Sequence, residues 1–184
     1  GAGAGGHCIP KDPRFLLESA KKFQGNFATI DNALKINNKM PKYISNSLQN
    51  SIKKLGLKKS ILVSGLSYKS NVEDMRDSAS FKVINELVSS GYQVFGYDPF
   101  FREEIIKKYL IENNLNEINF ELVDNLNDSI LERISCICIV QHHDITFEQI
   151  NEIYKKSKVP LIYDCQNKIK NDSNSKTILD CLGN

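Results

Sequence analysis

From Phe15 to Ile52 the apolar residues recur every three or four positions, whereas beyond Ser60 they gather into short runs separated by helical stripes. Phe15, Leu16, Ala20 and Phe23 mark one amphipathic helix, which Gly25-Asn26 ends. A second helix is predicted from Thr29 or Asp31 through Ala33, Leu34, Ile36, Met40, Ile44, Leu48 and Ile52. Pro41 lies inside it without the amide proton its turn requires, so a kink or a split into two helices is expected there. Leu55-Gly-Leu-Lys-Lys59 reads as a connector. Strands are then predicted at Ser60–Gly65, Tyr92–Tyr97, Ile118–Leu122, Ser135–Val140 and Pro160–Tyr163. The helices between them are Phe81–Ser89, Arg102–Asn113, Asn127–Arg133 and Phe147–Lys156, and the tail Ser175–Leu182 predicts one more. Repeated strand-helix order implies a parallel sheet covered on both faces, a Rossmann-like doubly wound α/β domain preceded by a helical segment. The division falls between residues 1–57 and 58–184.

Composition narrows the function classes. The 184 residues are 41% hydrophobic and 25% charged, as expected of a soluble globular chain. A net charge of +2 with no basic run gives no footprint for nucleic acid. No apolar stretch approaches the roughly 20 residues of a membrane span. Five scattered cysteines make no disulfide framework, which favours a reducing cytoplasm. Cys136 and Cys138 alternate within an apolar run and are expected to share one buried face of a strand, not to bind zinc. The chain opens on Gly1 rather than methionine, as a piece of a longer protein would.

Chemistry concentrates at the start. Gly1-Ala-Gly-Ala-Gly-Gly-His-Cys-Ile-Pro-Lys-Asp-Pro13 delivers Cys8 on a glycine-rich loop, flanked by His7, Lys11 and Asp12. Nearby cations raise the thiolate fraction of a cysteine, so the setting suits a nucleophile. The same glycines match a dinucleotide fingerprint in form only, because no strand precedes them and Pro10 and Pro13 follow. A second motif, Gly65-Leu-Ser-Tyr-Lys-Ser-Asn-Val-Glu-Asp-Met-Arg-Asp-Ser78, joins the first strand to its helix, where such folds bind ligands. Lys69 and Arg76 there suit phosphate, and Asp77 or Ser78 is expected to cap the helix. Asp98, in Tyr97-Asp-Pro99, reads as turn chemistry in preference to a ribose contact. His142 and His143, adjacent on extended chain, point apart and are expected in a loop near the ligand rather than around a metal.

Taken in order, Gly3-x-Gly5-Gly-His-Cys-Ile-Pro-Lys-Asp-Pro13, Asn38-x-Met-Pro41, Gly65-Leu-Ser-Tyr-Lys-x-Asn71 with Asp74-x-Arg-x-Ser78, and Gly91-x-x-Val-x-x-Tyr-Asp-Pro99 resemble the UDP-glucose/GDP-mannose dehydrogenase family. The resemblance implies a C-terminal part: the end of a central helical region that forms a homodimer, then a sugar-nucleotide-binding Rossmann-like domain. It implies oxidation of a sugar C6 alcohol to a uronic acid with NAD. Cys8 matches the family's nucleophile, which carries a thioester, and Asp12 the aspartate that handles water. Lys11 and Arg76 match positions near NAD. Gly3, Gly5, Tyr68 and Lys69 match positions contacting a UDP-sugar. The Gly-His-Cys-Ile-Pro form resembles the branch acting on UDP-N-acetylmannosamine or UDP-N-acetylglucosamine. Where that family carries Asp-x-Arg-Asn, this chain has Asp164-Cys-Gln-Asn167, so Gln166 replaces a charge with a neutral amide.

Two other classes compete. A nucleotide-sugar-binding or dimerisation module without turnover needs only the second domain and the helices. A cysteine hydrolase would need a Cys/His/Asn constellation that the sequence does not offer.

Overall fold

A computed structural model of the chain describes residues 1–112 and 119–183. Helices α1 (Asp12–Lys22) and α2 (Ala28–Lys54) come first. They are followed by β1 (Ser60–Ser64), α3 (Ala79–Ser89), β2 (Gln93–Tyr97), α4 (Glu103–Glu112) and β3 (Phe120–Leu122). The chain continues through α5 (Asp128–Arg133), β4 (Cys136–Ile139), α6 (Asp144–Lys155), β5 (Leu161–Asp164) and β6 (Ile178–Cys181). Asn113 and Ile118, the predicted bounds of a helix and a strand, lie outside the described residues.

All strand pairs are parallel, in the order β3-β2-β1-β4-β5-β6. This is the doubly wound arrangement that the alternation of elements implies, with its reversal between β1 and β4. Period-two alternation divides the sheet cleanly. Ile61, Val63, Cys136, Cys138, Leu161 and Tyr163 face α2, α3 and α4. Leu62, Phe95, Ile137, Ile139 and Ile162 face the other way, against Leu131 of α5 and Ile150, Ile153 and Tyr154 of α6. Removing one such side chain from water stabilises the fold by about 1.5–3 kcal/mol, so the central strands anchor everything attached to them. Cys136 and Cys138 do share a buried face, where burial raises the Cys136 thiol well above its usual range.

One expectation fails, and of the two outcomes expected at Pro41 the split does not occur. The tail forms strand β6, not a helix: Ile178–Cys181 pair with Leu161–Asp164 of β5. The apolar spacing of the tail fits either element, and the open edge of β5 decides by offering unpaired backbone groups. Pro41 does not split α2, which runs unbroken through it over 27 residues. The single hydrogen bond it forfeits is outweighed by Ile44, Leu48 and Ile52, all buried in the core. The carbonyl left without a helical donor, that of Asn37, faces the backbone of Gly3.

Candidate functional site at the carboxyl edge of the sheet

The glycine loop lies on the loop between β1 and α3. Gly6 N donates to the Arg76 carbonyl over 2.9 Å, and a Cβ built on Gly6 would collide with the ring of Tyr68. One on Gly5 would sit 2.5 Å from the Asp77 carbonyl oxygen. Gly5 is therefore required for the close approach of two backbones, and Gly6, at φ +85°, for the seat against the Tyr68 ring. Ala2 is buried in the core cluster beside α3 residues. On the other side Ala4 N donates to Asn37 Oδ1 at 2.6 Å, and Asn37 Nδ2 donates to Ala4 O at 3.0 Å. Cys8 follows, exposed, with its carbonyl accepting from Lys11 N and Asp12 N at 3.1 and 2.8 Å as α1 begins.

Cys8 thus comes close enough to influence Arg76, though it is not among the residues that line the cleft between them. An open cleft of about 400 Å³ is lined by Gly6, His7, Pro10, Lys11, Arg14, Arg76 and Asp77. Its three cations suit a pyrophosphate-bearing ligand. Arg76 is held by Asp74 through Nε at 3.0 and 3.1 Å and through a terminal nitrogen at 2.7 Å. That pair lowers the Asp74 carboxyl and raises the guanidinium, to which Tyr68 and Cys8 add smaller electrostatic contributions. Asp12 pairs with Lys11 at 3.1 Å at the start of α1, outside the residues that line the cleft. Tyr68 lines a second, smaller hollow with Gly1, Ala2, Gly3, Ser67, Ser78, Gln141 and Gln166. Lys69 is exposed next to it and lines neither hollow. Ser78 caps α3, accepting from Ser80 N at 3.3 Å.

The side chains that hold these loops are polar and buried. Asp98 Oδ2 accepts from Leu66 N at 2.7 Å and from Ser67 N and Ser67 Oγ at 2.9 Å, and it lies 3.1 Å from His143 Nε2. Its other oxygen accepts from Phe100 N at 2.9 Å, which is the turn expected of Asp-Pro. His143 Nδ1 in turn accepts from Asn71 N at 3.0 Å, so the imidazole proton sits on Nε2 and is given to Asp98. Asn71 closes the loop by exchanging two bonds with Asp144, at 2.7 and 3.0 Å. His142 pairs with Asp164 at 2.9 Å, and Asp164 also accepts from the backbone of Gln166, Lys168 and Ile169. The two histidines do point apart, yet both are buried and serve as struts for the loops. Burial alone would raise Asp98 and Asp164; the histidines and backbone amides outweigh it and hold both below the usual carboxylate value. Among the described residues no group of three His, Cys, Asp or Glu side chains is placed to hold a metal. No described helix is long and apolar enough to cross a membrane.

Sequence reasoning missed Asn37, naming Asn38 of the same motif. The available signal was Pro41, which frees the carbonyl four residues before it. It also missed the two histidine–carboxylate pairs, whose members lie 22 and 45 residues apart.

Comparisons with known proteins agree with this layout. The UDP binding domain of the UDP-glucose/GDP-mannose dehydrogenase family matches residues 62–171, and the central domain of that family matches residues 1–39. A UDP-N-acetyl-D-mannosamine dehydrogenase of Methanococcus vannielii is 36% identical over 171 residues, covering 91% of this chain and 36% of that protein. The chain therefore spans about a third of the length of such relatives. The structure of a UDP-D-ManNAc dehydrogenase from Pyrococcus horikoshii superposes with a TM-score of 0.74 at 26% identity, covering 98% of this chain and 39% of that one. A GDP-mannose dehydrogenase from Pseudomonas aeruginosa, at 17% identity and a TM-score of 0.76 over 97% of this chain and 39% of its own, shares the fold. With its sheet order, its glycine-loop cysteine and both domain matches in agreement, this chain belongs to the UDP-glucose/GDP-mannose dehydrogenase family.

Proposed function

We propose that the chain is the C-terminal part of an NAD-dependent UDP-sugar 6-dehydrogenase and supplies its nucleophile and half of its sugar-nucleotide site. The carrying observation is the docking of the Cys8 loop on the loop of Tyr68, Lys69 and Arg76, through Gly6 N to Arg76 O at 2.9 Å. UDP-N-acetylmannosamine or a related UDP-N-acetylhexosamine is the proposed substrate class, as the relatives' names suggest.

In this reading Tyr68 and Lys69, with Gly3 and Gly5, hold the UDP-sugar. Lys11 and Arg76, with Arg14 beside them, would hold the pyrophosphate of NAD, and a separate NAD would supply the hydride acceptor for each of the two oxidations. An aldehyde offers no hydride until a nucleophile adds. The Cys8 sulfur adds to the C6 aldehyde to give a thiohemiacetal, whose oxidation leaves a thioester on Cys8. Water, deprotonated with help from Asp12, then displaces the thiolate and releases the acid. The helices α1 and α2 belong to the region proposed to form a homodimer, and the cytoplasm is the proposed compartment.

The test has two arms. A full-length protein carrying this chain, given NAD and a panel of UDP-sugars, should form two NADH per sugar oxidised, and Cys8→Ser should abolish acid formation. Full turnover by that variant would remove Cys8 from the chemistry. In the 184-residue chain, calorimetry should detect UDP binding that weakens in Lys69→Ala. A chain with no affinity for UDP would overturn the half-site.

A further inference from the structure

We propose that Asn37 is the positioning residue for the Cys8 loop, a role that rests on the reading of Cys8 as the reactive thiol. The loop has no strand or helix of its own before Asp12, and its backbone groups need partners from elsewhere. Asn37 supplies two of them at one residue. Its amide accepts from Ala4 N at 2.6 Å and donates to Ala4 O at 3.0 Å, imitating one rung of a sheet. No aliphatic or hydroxyl side chain offers both a donor and an acceptor in this planar form.

The neighbouring residues give the contact its geometry. Pro41 cannot donate to the Asn37 carbonyl, so that oxygen lies free of the helix ladder and faces Gly3. A Cβ on Gly3 would stand 3.3 Å from it and 3.5 Å from Asn37 Oδ1. Gly3 also has φ of +127°, a backbone region that favours glycine. Asn37, Pro41 and Gly3 therefore form a seat on α2 for the first half of the loop. The second half is fixed by Gly6 on Tyr68 and Arg76. Cys8 lies two residues beyond that anchor, so the seat at Ala4 and the anchor at Gly6 together hold the stretch that carries the sulfur.

Three forms of the 184-residue chain test this: wild type, Asn37→Ala and Asn37→Asp. Hydrogen exchange of the Ala4 amide should accelerate about fivefold or more in Asn37→Ala, the effect of losing one net hydrogen bond. In Asn37→Asp the acceptor for Ala4 N remains but the donor to Ala4 O becomes a second acceptor oxygen, so Ala4 protection should fall between those of wild type and Asn37→Ala. In a Cys181→Ser background, a nitroxide on Cys8 should show a narrowed, more mobile spectrum in Asn37→Ala. The melting temperature and exchange in β1, β4 and β5 should stay as in wild type. An unchanged Ala4 amide or an unchanged nitroxide spectrum in Asn37→Ala would overturn the proposal. So would faster exchange throughout the sheet, which would make Asn37 a general structural residue. Neither readout involves turnover, so a failure here is separate from a failure of Cys8→Ser to stop the dehydrogenase reaction.

Discussion

Asp98 and His143 form a wholly buried pair, Nε2 to Oδ2 at 3.1 Å, that joins the ends of β2 and β4 beneath the loop following β1. The carboxylate takes the backbone of Leu66 and Ser67, and the imidazole takes that of Asn71, so the loop with Tyr68 and Lys69 is held on both sides. Removing one partner leaves buried donors unmatched. Asp98→Ala is expected to cost about 3 kcal/mol or more, measured by urea denaturation. A loss below about 1 kcal/mol would show that the loop is held by other means.

The same carboxylates set the response to acid. Asp98 and Asp164 are both held below the usual value of 3.8 in the folded chain. The unfolded chain then binds more protons as pH falls, so their stabilisation is present above that value and lost below it. Unfolding free energy measured from pH 6 down to pH 2 should fall most steeply below about pH 4. Asp98→Asn should show a shallower acid slope; an unaltered slope would mean the group titrates normally.

Two glycines with left-handed φ separate backbone strain from crowding. Gly56 has φ of +63° with open space around it, whereas a Cβ on Gly65, at φ +83°, overlaps the Gln141 carbonyl. Gly56→Ala should cost about 1 kcal/mol. Gly65→Ala should cost at least about 3 kcal/mol, since the loops after β1 and β4 must separate. Equal costs in thermal unfolding would contradict the crossing of these loops.

Thiol chemistry offers a direct reading of the layout. Cys8 is exposed, Cys181 is half-buried, and Cys136, Cys138 and Cys165 are buried. Brief treatment of the native chain with a maleimide, followed by peptide mass analysis, should label Cys8 first and leave the buried three untouched. Prompt labelling of Cys138 or Cys165 would mean that the sheet opens easily.

The tie between α2 and the last strand is also measurable. Ser51 Oγ donates to Asp180 Oδ2 at 2.6 Å. Ser51→Ala should destabilise the chain by about 1–2 kcal/mol and speed amide exchange in Ile178–Cys181. Unchanged exchange there would show that pairing with β5 alone holds the strand.

Much of this architecture was legible because local signals and tertiary structure agree. Short apolar runs such as Ser60-Ile-Leu-Val-Ser64 and helical stripes such as Phe81–Ser89 appear where the pattern puts them. Ser78 caps its helix as its type predicts, and Asp98 makes its turn. What escaped depends on distant partners. The tail became a strand because β5 had a free edge, which no window around Ile178 contains. His142 and His143 do lie in a loop, after β4, and it is their partners that escaped, because the carboxylates come from other strands. Asn37 escaped because its partner is the backbone of a distant loop, and Pro41 signals only the freed carbonyl, not what the side chain binds.

The unbroken course of α2 has one more consequence. Asn37 and Ser51 stand on the same rod, about 20 Å apart along its axis, one gripping the glycine loop and the other the last strand. Loop and sheet therefore share a single rigid reference. The entropy of ordering the loop is met when the chain folds, leaving little of it to be charged against the affinity of whatever binds beside Cys8.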